Sequence, residues 1–203
     1  VWVDRGSGGR NIAFSRGGFP PLAPFELPAE TRLLHLDGSH GDAAVAAAQQ
    51  AGERGLPVVL DAGSIKPRME ELFALADVVV GSQQFLQAVA GTTDPAVAGP
   101  AMTARGVRRM VMTQGAAGAW LYEQSGGGLL HVPALEIETV DTTGAGDVFC
   151  GGLIHGLVGS GGDHRSLDMY LGEALELGSA AAAWKCKSRG NRSALPGRED
   201  LES

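Results

Sequence analysis

Short apolar runs of strand length alternate with amphipathic or alanine-rich stretches along most of this chain. Leu33 to Leu36, Leu56 to Asp61, Asp77 to Val80 and Val107 to Thr113 are the runs, nearly continuous in apolar side chains. That pattern predicts strands covered on both faces rather than strands with one wet side. Asp42 to Arg54, Pro67 to Ala76 and Gln83 to Ala90 read as the helices between them. Gly91 to Pro100 is expected to be a loop, with Ala101 to Arg105 closing a short helix. Ala119 to Tyr122 and Leu129 to Pro133 read as a β-pair around the glycine-rich Gln124 to Gly128. Asp147 to Val158 and Leu167 to Lys185 complete the helices, with Gly159 to Asp163 as a loop. At the other end, Val1 to Phe14 reads as a hairpin whose glycines supply the turn, and Ser15 to Pro28 as a proline- and glycine-rich loop. The sum predicts an α/β fold with a mainly parallel sheet, whose ligands gather at the carboxyl ends of the strands.

Composition narrows the partners. The chain has 203 residues and a formal net charge of −7, with no basic stripe to track a phosphate backbone, so a nucleic-acid partner is not expected. Its densest positive stretch, Lys185, Lys187, Arg189 and Arg192, reads as a solvated rim. There are two cysteines, Cys150 and Cys186, without metal-type spacing, which predicts reduced thiols and a cytoplasmic setting. No apolar run approaches the ~20 residues needed to span a bilayer, so no membrane partner is expected. No secretory signal is visible, and the chain opens at Val1 rather than at a methionine.

The most informative segment is Asp141-Thr142-Thr143-Gly144-Ala145-Gly146-Asp147-Val148-Phe149. Small residues lie between two carboxylates, and an apolar helix-like run follows. Gly144, Ala145 and Gly146 leave backbone amides uncovered where the helix begins. Bare amides and the positive end of the helix dipole form a seat for a phosphate or a developing anion. Asp147 falls in the first turn beside that seat. An anion hole next to a carboxylate suits phosphoryl transfer from a nucleotide to a hydroxyl, with Asp147 accepting the proton. A glycine-rich strand-to-helix turn carrying an ordinary first-turn charge is the bland alternative. The full nine-residue string is more specific than Gly-Ala-Gly alone.

Val140 to Gly152 resemble the C-terminal signature of the ribokinase/PfkB family of carbohydrate kinases. The resemblance implies a ribokinase-like three-layer sandwich with a mainly parallel sheet. It also implies an ATP-dependent kinase acting on a sugar or nucleoside hydroxyl, with Mg²⁺ accompanying ATP. By that likeness Asp147 is the base, and the amides of Gly144, Ala145 and Gly146 are the anion hole. Asp141 matches a position that helps bind a monovalent cation such as K⁺ in relatives. Pairing of its carboxylate with local backbone amides is the other reading.

Thr113, Gly115 and Gly118 match the family's Thr-x-Gly-x-x-Gly segment along the ATP phosphates. A tight turn into the next strand explains them as well. Ala180 to Asn191 resemble the helix-to-loop wall of an adenine pocket, with Asn191 as a nucleotide contact; close packing of an alanine face on the sheet is compatible. His35, Asp37, His40 and Asp42 crowd one segment. They read as a strand end, a turn and a helix start rather than a metal centre, since no His-x-x-x-His helix or cysteine supports one. Asp37 and Gly38 are at most peripheral neighbours of the substrate.

One departure is informative. Ser82 and Phe85 stand where family members often carry Asn-x-x-Glu, and Phe85 cannot hold a hydrated cation. Ketohexokinase-like members share that departure, and Lys66 to Phe73 and Ala183 to Cys186 resemble their segments. A ketohexose-type sugar is therefore the expected substrate, against a nucleoside or other carbohydrate kinase, or a non-catalytic sensing domain. The resemblance further implies that 1–203 is a single partial kinase domain lacking the N-terminal part of the fold. Residues 1–28 would be the remnant of a small β lid, through which relatives form homodimers, and 29–203 the nucleotide-binding and catalytic part. Such a fragment alone is expected to be inactive.

Overall fold

The computed structural model describes residues 2–3, 10–11, 20–126, 128–159, 161, 163–190 and 195–201. Strands β1 (Trp2–Val3) and β2 (Arg10–Asn11) pair antiparallel as a separate two-stranded sheet. This is the expected hairpin; its turn and Ile12 to Phe14 lie outside the described residues.

The main sheet has six strands: β3 (Leu34–Leu36), β4 (Val58–Ala62), β5 (Val78–Ser82), β6 (Arg109–Thr113), β7 (Ala119–Glu123) and β8 (Leu129–Val132), in spatial order of sequence. The first four are parallel and the last two antiparallel. Helices α1 (Gly41–Glu53), α2 (Met69–Leu75), α3 (Gln83–Ala90) and α4 (Pro95–Thr103) connect the parallel strands. After β8 come α5 (Ala145–Gly159), α6 (His164–Cys186) and the short α7 (Arg198–Leu201).

The strand period of two divides the core into two layers. Val58, Leu60, Met110 and Met112 point to one face, where they pack with Leu72 and Phe73 of α2. Val59, Val78, Val80 and Val111 point to the other, against Leu153 and Leu157 of α5 and Leu175 of α6. A three-layer helix–sheet–helix sandwich results, which explains why the strands read as continuous apolar runs.

The loop expected over Gly91 to Pro100 is a correction: α4 occupies most of it. Asp94 caps the helix, its carboxylate accepting from the Ala96 amide at 3.0 Å, and Pro95 supplies a preset φ at the first position. Those start signals outweigh Pro100, which lies inside the helix and costs it a backbone donor. Helices α5 and α6 also begin two and three residues earlier than the sequence pattern predicts.

Helices α5 and α6 meet backbone to backbone. A Cβ on Gly152 would lie 2.9 Å from the Ala181 Cβ, the Gly178 Cα and the Leu177 carbonyl oxygen. One on Gly156 would lie 3.0 Å from Ala174, and one on Gly178 would lie 2.9 Å from the Phe149 carbonyl oxygen. Arg32 fixes the far end of α5, donating to the carbonyls of Val158 at 2.9 Å and Gly161 at 2.7 Å. These contacts set where the N-terminus of α5 sits. Gly152→Val should therefore push the helices apart and lower stability by about 1–3 kcal/mol, the range for overpacked cores. Urea unfolding followed by circular dichroism measures this, and an unchanged midpoint would contradict the packing account.

Candidate active site

The turn into α5 is built by hydrogen bonds from one aspartate. Asp141 Oδ1 accepts from the Thr143 amide at 2.9 Å, and Oδ2 accepts from the Gly190 amide at 3.2 Å. Lys185, fully buried, donates to the Asp141 carbonyl at 2.6 Å and lies 3.7 Å from Oδ2. The amides of Val140 and Asp141 donate to the Cys186 carbonyl at 2.8 and 3.2 Å. The last turn of α6 thus holds the start of the loop that ends in α5. The Thr143 amide and hydroxyl, then the Gly190 amide and Lys185, hold the Asp141 carboxyl well below the usual carboxylate range. Both oxygens are engaged and an ammonium already stands beside them. Of the two readings of Asp141, local pairing matches these contacts.

Gly144 follows with φ 78°, a left-handed conformation that favours glycine and turns the chain into the helix. Of the three amides expected to be bare, the Ala145 amide is not: it donates to the Thr142 carbonyl at 3.1 Å. This corrects the expected donor set, because the turn closes on itself before the helix starts. Among the described residues, the amides of Gly144, Gly146 and Asp147 have no hydrogen-bond partner.

The first turn of α5 separates two cavities. One, of about 420 Å³, is lined by Thr113, Gly115 and Gly118 together with Thr142, Ala145 and Gly146. Its remaining wall includes Phe149 of α5 and Ala182, Ala183 and Cys186 of α6, small or flat apolar surfaces. The volume is in the ~300–1,000 Å³ range of small-molecule sites. Two glycine-bearing turns, separated in the sequence by the β7–β8 pair, are therefore brought to one cavity at the carboxyl end of β6. Gly118 is also required by the packing, since at φ 88° a Cβ there would lie 2.2 Å from the Val132 carbonyl oxygen. The tight-turn reading of that segment accounts for Gly118 by itself. Asn191, the remaining expected contact, lies outside the described residues.

The second cavity, of about 440 Å³, is lined by Gly144, Asp147, Val148 and His155, with Leu195 to Gly197 closing its rim. Asp147 is exposed there. Its carboxylate also acts electrostatically on Asp61 and Cys150. Burial first, and then Asp147, push the Asp61 carboxyl above its ordinary value; His35 and Lys66 oppose this. Burial first, then Asp61 and Asp147, push the Cys150 thiol far above its own. Sequence reading gave Asp61 no role and placed Lys185 on a solvated rim, and the latter is corrected: Lys185 is fully buried and donates to the Asp141 carbonyl. A carboxylate near the end of the apolar run Val58-Val59-Leu60-Asp61-Ala62 was the available signal for the first. Lys185 carried none, since a lysine ending a helix is ordinarily exposed. Ser82 caps α3, accepting from the Phe85 amide at 3.3 Å, and Phe85 is buried against Phe73.

The fold and the turn together define an α/β protein in which two cavities meet at a helix N-terminus over the sheet's carboxyl edge. The sequence pattern of the pfkB family carbohydrate kinases matches residues 3–198, and the chain belongs to that family. It is 28% identical to a ribokinase of Haemophilus influenzae over 159 residues, which are 76% of this chain and 49% of that protein. It is similar to the crystal structure of aminoimidazole riboside kinase from Salmonella enterica complexed with aminoimidazole riboside and an ATP analog. There the TM-score is 0.73 at 25% identity, covering 91% of this chain and 64% of that one. It also resembles fructokinase from Vibrio cholerae in its fructose-, ADP- and calcium-bound form, with a TM-score of 0.72 at 25% identity over 84% of this chain and 59% of that one. The chain thus spans about half the length of the curated relative it matches. Among the described residues, no helix is long and apolar enough to cross a membrane.

The Asp141 contacts make a pH prediction. A carboxyl depressed in the folded state contributes stability that is complete above its unfolded value near ~3.9. That contribution is lost as pH falls through the folded value. Asp141→Asn should flatten the dependence of stability between about pH 5 and 2 relative to wild type. Urea midpoints across that range test it, and parallel curves for the two proteins would remove Asp141 from acid sensitivity.

Proposed function

We propose that this chain carries the nucleotide-binding and catalytic part of an ATP-dependent carbohydrate kinase. The observation that carries the reading is the first turn of α5. There, unpartnered amides and the Asp147 carboxylate stand between a cavity lined by Thr113, Gly115 and Gly118 and a second, open one. The ATP analog in the Salmonella enterica relative supports ATP as donor.

In this reading ATP, entering as its Mg²⁺ complex, lays its phosphates along the 113–118 turn and its base against the small side chains of α6. A sugar hydroxyl attacks the γ-phosphorus in line from the Asp147 side. Asp147 accepts the hydroxyl proton as the new P–O bond forms and the bond to the leaving ADP oxygen breaks. The amides of Gly144, Gly146 and Asp147, with the α5 dipole behind them, stabilise the charge on the transferring group. Little covalent chemistry is asked of the protein, so positioning and electrostatics carry the rate. Asp141 and Lys185 position the loop without touching the reacting atoms.

A ketohexose-type acceptor is the preferred substrate. Phe85 and the Lys66 to Phe73 segment support it by their likeness to ketohexokinase-type members. A riboside acceptor is the second reading, supported by the Salmonella enterica relative. A sugar and nucleoside panel with ATP-coupled detection on the gene product separates the two. Asp147→Asn should lower kcat by about 10²–10⁴-fold, the usual contribution of a positioned base, with ATP affinity little changed. A variant that turns over at the wild-type rate would remove Asp147 from that role.

A further inference from the structure

One cluster of side chains is not used by phosphoryl transfer. His35 on β3, Asp61 on β4 and Cys150 on α5 each bring a ligand-type atom to within 4.8 Å of the other two. We propose that an imidazole nitrogen of His35, a carboxylate oxygen of Asp61 and the Cys150 sulfur bind one transition-metal ion of the Zn²⁺ class.

The scaffold places these groups by regular geometry. Strands β3 and β4 pair with His35 opposite Val59, and Asp61, two residues further along, shares the sheet face of Val59. Val59 belongs to the core layer formed with α5, and Cys150 is buried in that same layer. Two paired strands and a packed helix are a rigid support for a ligand set. In a tetrahedral zinc site, with Zn–N near ~2.0 Å and Zn–S near ~2.3 Å, ligand atoms lie about 3.2–3.8 Å apart. From separations within 4.8 Å, the ligand atoms close by about 1–1.6 Å to reach that geometry. His35 is exposed and makes that adjustment at the surface, while Asp61 is half-buried and Cys150 is 2% exposed.

The donor chemistry selects the metal. One nitrogen, one oxygen and one thiolate suit Zn²⁺ and its neighbours; Mg²⁺ and Ca²⁺ require oxygen shells. Three protein ligands leave the fourth position to water. Lys66, the lysine whose charge reaches Asp61, is occupied elsewhere: it donates to the Asp37 carbonyl and lies 3.5 Å from the Asp37 carboxylate. The other groups of the histidine-rich segment also have partners. Asp42 pairs with Arg68, and His40 accepts from the Leu22 amide at 3.2 Å. Binding replaces the thiol proton of Cys150 with the metal and releases that proton to solvent; no electron changes hands.

Cobalt spectroscopy tests the site without reference to catalysis. The reduced 203-residue chain, titrated with Co²⁺, should develop a thiolate-to-cobalt charge-transfer band that saturates at one equivalent and is abolished by Zn²⁺ but not by Mg²⁺. Cys150→Ser should remove the band, and Cys186→Ser should retain it. His35→Ala, an exposed position where folding is not at stake, should weaken Zn²⁺ at least tenfold in competition with a chromophoric chelator. Folding of each variant is checked by thermal melting. The proposal is overturned if folded wild-type chain gives no thiolate band, if the band follows Cys186, or if His35→Ala binds Zn²⁺ as wild type does.

Discussion

The close approach of α5 to α6 is the constraint on which the site depends. Gly152, Gly156 and Gly178 remove the side chains that would separate the helices, and Ala174 and Ala181 fill what remains. Dispersion forces fall off within about an ångström of radial gap, so backbone contact of this kind fixes the two helices more firmly than larger side chains would. The N-terminus of α5 and the C-terminus of α6 are then neighbours by construction. That is why a loop beginning at Val140 can hydrogen-bond to the end of α6 and immediately start α5.

Electrostatics acts within this frame at short range. Lys185 is fully buried, and a buried ammonium is tolerated only where oxygen acceptors meet it. The Asp141 carbonyl and carboxylate supply them. One ion pair and two amide hydrogen bonds to the same aspartate therefore occupy the polar groups of the loop's first half. In the second half, the amides of Gly144, Gly146 and Asp147 have no hydrogen-bond partner among the described residues. The contrast within a few residues, from saturated to unsatisfied, is what the proposed anion seat rests on.

Much of the architecture was legible in the chain because strand and helix periods are local properties. The four parallel strands, the β7–β8 pair and most helices fall where the apolar pattern predicts. Residues 91–100 failed because two prolines and two glycines read as loop. The Asp94 cap and Pro95 in the first turn decide for helix, and that competition is settled by cap geometry rather than by composition. The turn at Gly144 and the helix start beside Asp147 were legible because the nine-residue string carries its own conformational requirements. The engagement of the Ala145 amide was not, because it depends on how tightly the Thr142 to Ala145 turn closes.

The sequence alone determined the order of strands and helices, the position of the glycine-bearing turn into α5 and the absence of a cation-holding side chain at Phe85. Each follows from residue types acting on their immediate neighbours. Only the tertiary structure decided that Lys185 is buried against Asp141, that the 113–118 turn shares a cavity with the start of α5, and that His35 meets Asp61 and Cys150. The histidine-rich segment lacked a cysteine within reach along the chain, and the fold supplies one from 115 residues away. Such meetings depend on which strand lies beside which and on which face a helix turns inward. Those are properties of packing, to which no short stretch of sequence has access.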